Sequence, residues 1–105
     1  MAGEMQIRAR MVGGDLADVK VLISHVMETG QRKDPKTKNL IPAYFINHVT
    51  ATLNGTTVIE TQWGTGISKN PFMGFKVQGA KPGDFIAISA IDNQGGKYEK
   101  NAIVI

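Results

Sequence analysis

Cysteine is missing from all 105 residues. Its absence excludes a disulfide framework, a thiolate zinc site and a cysteine nucleophile supplied by this chain. Histidine is scarce: His25 and His48 are the only two, and no H-x-x-H or H-E-x-x-H spacing sets a ligand pair on one element. Ser24, Ser68 and Ser89 are the only serines, and none stands in G-x-S-x-G or S-x-x-K, so no activated nucleophile is indicated. "GTGISKN" contains two glycines but lacks the spacing and the following helix of a phosphate loop. No run approaches the ~20 apolar residues of a membrane span. The opening "MAGEMQIRARMVGG" has no apolar core of signal-peptide length, which leads us to expect no export signal in this chain. No catalytic, cofactor-binding or metal-binding residue is assigned, and the chain is read as not an enzyme.

What is present is ordinary for a globular protein. Apolar residues make up 42% and charged residues 20% of the chain, enough for a single domain over residues 1–105 with its own core. Twelve Lys and Arg against nine Asp and Glu leave a net charge of +3. The basic residues are scattered along the sequence, so neither a nucleic acid nor a membrane is called for as a partner.

The dominant period is two. In "QIRARMV" Ile7, Ala9 and Met11 share one face while Gln6, Arg8 and Arg10 share the other. "DVKVLIS" repeats the pattern with Val19, Val21 and Ile23 inward, and "AYFINHVTATL" sets Phe45, Val49, Ala51 and Leu53 against Tyr44, His48, Thr50 and Thr52. Such alternation is the signature of half-buried strands. Asn54-Gly55 supplies a tight hairpin turn, with "TTVIETQW" as the return strand. "FMGFKV", "FIAISAI" and "KYEKNAIVI" complete a set of seven, and Lys81-Pro82-Gly83-Asp84 suits a type II turn. "FIAISAI" is apolar on both faces and is expected at the centre of a sheet. Seven short strands with turn residues between them predict an all-β, immunoglobulin-like two-sheet sandwich.

Two connections are long: "HVMETGQRKDPKTKNL" over residues 25–40 and "WGTGISKNP" over 63–71. Loops on a rigid sandwich are where binding is expected. His25 with Glu28 offers half of a metal or acid–base site at most, since a metal needs three or four converging ligands. His25 is therefore read as a packing histidine and His48 as a solvated cross-strand partner. Arg32, Lys33, Lys36 and Lys38 form a basic cluster, read either as a solvated loop or as a steering charge for an acidic partner.

Four stretches together, "HVMETGQRKD" (25–34), "IPAYFI" (41–46), "WGTGISKNP" (63–71) and "DNQGG" (92–96), resemble the SoxZ family of the bacterial sulfur-oxidation system. The order and spacing match from about residue 6 to the end. Two positions depart from the family's usual pattern: Val26 stands where a proline is common, and Tyr44 where a histidine is. The resemblance implies an immunoglobulin-like subunit without a cofactor that pairs with a SoxY-type subunit as a heterodimer. In that family the partner carries an arm cysteine that covalently holds thiosulfate-derived intermediates. The pair makes transient contact with a haem cytochrome complex, a thiosulfohydrolase and a sulfur dehydrogenase. It also implies a periplasmic location, reached by co-export with the signal-bearing partner.

The residues expected at the partner interface are Met27, Arg32, Phe45, Trp63, Lys69, Asn70, Phe72 and Met73. Aromatic and methionine side chains favour interface cores, although Phe45, Trp63, Phe72 and Met73 also suit the sandwich interior. The alternative function is a free-standing module that binds a carbohydrate or an anion through loops 25–40 and 63–71.

Overall fold

A computed structural model describes residues 4–105 and contains seven strands, with no helix among the described residues. They are β1 (Met5–Gly13), β2 (Leu16–Ile23), β3 (Ile46–Leu53), β4 (Thr56–Gln62), β5 (Phe72–Gln78), β6 (Phe85–Asp92) and β7 (Lys97–Ile103). All pairings are antiparallel, in a three-stranded sheet of order β1-β2-β5 and a four-stranded sheet of order β4-β3-β6-β7. The two sheets pack as the expected immunoglobulin-like sandwich.

The period-two pattern decides which faces meet. Val19, Val21 and Ile23 from β2 lie against Val49, Ala51, Ile86, Ile88 and Ala90 from β3 and β6, all with at most 1% of their surface exposed. Burying one such branched side chain contributes about 1.5–3 kcal/mol, so this double layer is the main source of stability. β6 sits between β3 and β7, which explains why "FIAISAI" has no charged face.

The turns follow their residues. Asn54 and Gly55 take positive φ (51° and 86°), as a two-residue hairpin of the right twist requires. Gly83 at φ 93°, with the Asp84 N–H donating to the Lys81 carbonyl at 3.1 Å, gives the expected type II turn. The sheets are stitched together at one edge by the last residue: the Met11 N–H donates to the Ile105 carbonyl and the Ile105 N–H to that of Ala9.

The start of β3 departs from strict alternation. β3 begins at Ile46 rather than Ala43, and its register with β6 slips between Ile46 and His48. Because of that irregularity Ile46 is fully buried while Phe45 is only half-buried. An extra residue on one strand of a pair reverses the facing of everything before it.

Candidate functional site: one end of the sandwich

Where β2 ends and β5 begins, the two long connections are tied to each other by backbone. The Ile23 N–H donates to the Pro71 carbonyl at 3.0 Å. Two residues on, the His25 N–H donates to Asn70 Oδ1 at 3.0 Å and the Asn70 N–H returns a bond to the His25 carbonyl at 2.8 Å. Asn70 holds φ at 51°, a left-handed conformation that asparagine tolerates better than most side chains.

The second family-like stretch joins the same assembly. Glu28 and Tyr44 exchange both backbone hydrogen bonds, at 2.7 and 3.0 Å. Asn93, from the turn after β6, clamps this segment with both ends of its amide. Its Oδ1 accepts from the Phe45 N–H at 2.8 Å, and its Nδ2 donates to the Ala43 carbonyl at 2.9 Å. Four separate stretches of the sequence are thereby held at one end of the sandwich.

Beneath them lies a buried polar cluster. Asp92 ends β6 on the inward face, with its side chain 1% exposed. Its Oδ1 accepts from the Gln94 and Gly96 N–H groups at 2.9 and 2.8 Å, and its Oδ2 accepts from the Tyr98 hydroxyl at 2.7 Å. The Tyr98 oxygen in turn lies 3.2 Å from the Tyr44 hydroxyl. Since Tyr98 donates to Asp92, Tyr44 is the donor to Tyr98. Burial pushes the Asp92 carboxyl up, but the bonds from Tyr98, Gly96 and Gln94 and the neighbouring His25 more than offset it, so its pKa is lowered. The Tyr98 hydroxyl is pushed up by burial and by its two partners, which keeps it protonated as a donor.

His25 completes the cluster. Its ring lies 4.4 Å from that of Tyr44 and edge-on to Tyr98 at 5.7 Å. Nδ1 accepts the Met27 N–H at 3.0 Å, which places the proton of the neutral ring on Nε2. Nε2 is buried without a hydrogen-bond partner, 3.8 Å from Asp92 Oδ2, beyond hydrogen-bonding range. Burial lowers the imidazole pKa and outweighs the pull of Asp92, so the ring is neutral at pH 7. These contacts hold Met27 at φ 52° with its side chain in the core, where its sulfur accepts the Ile46 N–H at 3.4 Å.

Above the cluster opens a groove of about 650 Å³ between the two loops, with Val26 to Thr29 and Arg32 on one wall and Thr65 to Lys69 on the other. Arg32 grips Glu28 through Nε and Nη2. That hydrogen bond draws the Glu28 pKa down and the Arg32 pKa up. The groove offers a guanidinium, an ammonium and several hydroxyl groups, a surface suited to binding. Among the described residues no three His, Cys, Asp or Glu side chains gather as a metal site would need.

The expected interface residues are divided by the structure. Met27, Arg32 and Lys69 line the groove, and Asn70 braces it from below. Phe45, Trp63 and Met73 are half-buried and pack against the core. Phe72 is 63% exposed and lies on the β1-β2-β5 sheet. His25 is a packing residue, as expected, and His48 lies half-buried 3.3 Å from Glu60 on the neighbouring strand. The cluster around Asp92 was missed in the sequence. Its signal was present: Asp92 continues the inward series Ile86, Ile88 and Ala90, and an inward carboxylate requires donors.

Among known proteins, the model of the family described as "Sulphur oxidation protein SoxZ" matches residues 5–102. No curated protein matches. The fold is similar to a hypothetical protein of Pyrococcus horikoshii OT3, at TM-score 0.69 and 16% identity, covering 98% of this chain and 89% of that one. It is also similar to a superoxide reductase (neelaredoxin) from Ignicoccus hospitalis, at TM-score 0.64 and 11% identity, covering 99% and 79%. A superoxide reductase in the oxidised state gives TM-score 0.63 at 14% identity, covering 99% and 87%. At these identities the likenesses speak for the fold alone. The family match spans nearly the whole chain and all four stretches assembled at the loop end; the chain belongs to the SoxZ family, and its role lies in sulfur oxidation.

Proposed function

We propose that this chain is the non-catalytic subunit of a periplasmic sulfur carrier, exported together with a signal-bearing partner. It pairs with a SoxY-type subunit whose arm cysteine carries thiosulfate-derived intermediates. It also helps dock that carrier on the haem cytochrome complex, the thiosulfohydrolase and the sulfur dehydrogenase. The observation that carries this reading is a SoxZ-family chain without a single cysteine. Covalent sulfur carriage needs a thiolate, so in such a carrier the thiol belongs to another polypeptide. The remaining role is to bind that polypeptide and present it. A rigid sandwich with its loops fixed at one end supports such presentation, since binding groups on a preorganised scaffold lose less entropy when they engage.

Reconstitution tests the proposal. The chain alone, mixed with the three enzymes and thiosulfate, is expected to give no turnover, and adding the SoxY-type subunit is expected to restore it. Turnover by the chain without a thiol-bearing partner would contradict the reading. Within the same system Arg32→Glu separates two roles for the groove: lost pairing places Arg32 at the partner interface, and intact pairing with slowed turnover assigns the groove to enzyme docking.

A further inference from the structure

Basic residues that are scattered in the sequence come together on the outer face of β1-β2-β5. The strand registers set them in three rows. Gln6, Leu22 and Phe72 form the first row, Arg8, Lys20 and Gly74 the second, and Arg10, Asp18 and Lys76 the third. Lys100 of β7 joins from the side, where it lines a hollow of about 490 Å³ with Gln6, Arg8, Lys20, Leu22 and Phe72. A smaller hollow of about 110 Å³ lies among Arg8, Arg10, Asp18 and Lys20. Within these three rows and at Lys100, five cations stand against one carboxylate.

The arrangement is costly for folding. Arg8 and Lys20 stand directly opposite each other, and like charges in that position destabilise a strand pair. The Asp18 carboxylate, 3.7 Å from Lys20 Nζ, is the one offset within the rows. At the row nearest the loop end, Phe72 and Leu22 are 63% and 38% exposed, and the Phe72 ring lies over Gly74, 3.5 Å from where a Cβ would stand. The face thus combines a concentrated positive field with one apolar anchor at its end.

We infer that this face docks an acidic protein surface in a transient, electrostatically steered encounter, with Phe72 entering an apolar recess of that partner. The inference rests on the carrier reading above, in which the pair must visit several enzymes and leave them again. Charged residues are depleted at the cores of permanent interfaces, whereas opposed charges at the rim accelerate encounter and fix orientation. Nucleic acid is the poorer fit. Sheets that bind single strands interleave several stacking aromatics with their cations, and these rows carry one aromatic at an end and a carboxylate in the basic field.

The test uses the co-expressed pair. Its association with each of the three purified enzymes is measured by stopped flow at about 25 mM and about 300 mM salt, where screening differs strongly. Wild type is expected to associate with at least one enzyme, with a rate that falls about tenfold or more at the higher salt. Arg8→Glu is expected to lose about tenfold at low salt and to melt no lower than wild type, because it relieves the repulsion with Lys20. Phe72→Ser is expected to speed dissociation while leaving the association rate unchanged.

Four results overturn the inference: rates insensitive to Arg8→Glu, no binding by an intact pair, tighter binding to duplex DNA than to any enzyme at the same salt, or loss of pairing in the Arg8→Glu chain. The last would make the face a permanent interface. Failure of the wild-type chain to pair at all sinks the carrier reading itself, an outcome distinct from these four.

Discussion

The carboxylate of Asp92 holds three donors in a space that admits nothing more. A Cβ added at Gly96 would overlap Asp92 Oδ2, and that oxygen is already fixed by the Tyr98 hydroxyl. Gly96→Ala is therefore expected to cost about 2 kcal/mol or more, the scale of disrupting a buried charged hydrogen-bond network. In an Asp92→Ala background the same substitution should cost much less, a coupling that a double-mutant cycle in urea measures directly.

The cluster also sets two pH windows. The folded-state pKa of His25 is lowered, so acid protonates the unfolded chain first. Stability is whole above the unfolded value of about 6.5 and declines as pH falls from there toward the folded value. The Asp92 pKa is lowered as well. Its contribution is whole above an unfolded value of about 3.9 and is lost as pH falls through the folded one. Urea midpoints against pH should show both declines. His25→Gln is expected to flatten the upper window, and Asp92→Asn to flatten the lower one while deepening the upper, because the Asp92 charge opposes the lowering of the His25 pKa. Asp92 was legible as an inward residue from its period with Ile88 and Ala90. Its partner Tyr98 lies six positions on, across the β6–β7 hairpin, but the further link from Tyr98 to Tyr44 was not legible, because a hydrogen bond between residues 54 positions apart leaves no mark in local spacing.

At the level of elements, the strands and their turns follow from alternation and from asparagine, glycine and proline at defined places. What alternation does not encode is the slip in β3, since a bulge arises from pairing with β6 and not from the strand's own residues. The 25–40 connection is irregular in the structure, as its lack of period suggested, yet it is pinned at isolated bridges, Glu28 with Tyr44 and Lys33 with Leu40. The asparagine turn after β6 holds the far side of this assembly. Asn93→Ala removes two side-chain bonds to the 43–45 segment. Hydrogen exchange at the Phe45 amide is then expected to rise about tenfold, the equivalent of one lost net hydrogen bond. The Ala51 amide, in the middle of β3, should be unaffected. Equal acceleration at both amides would mean that Asn93 supports the whole sandwich and not the loop end.

For the whole molecule, the sandwich presents two chemically different regions. The loop end carries the family-like stretches around a groove, and the outer face of β1-β2-β5 carries the rows of basic residues. The first was legible as two over-long connections with an ordered motif. The second was not, because Arg8, Lys20 and Lys76 lie on three different strands and only their register brings them together. A chain of the SoxZ family without cysteine fits the proposal of a subunit that works through its partner. The most direct test of that claim is the native mass of the complex recovered when this chain is co-expressed with a SoxY-type subunit. The account predicts a stable complex with equal numbers of the two chains. Recovery of this chain as a monomer, with the SoxY-type subunit in a separate peak, would contradict it.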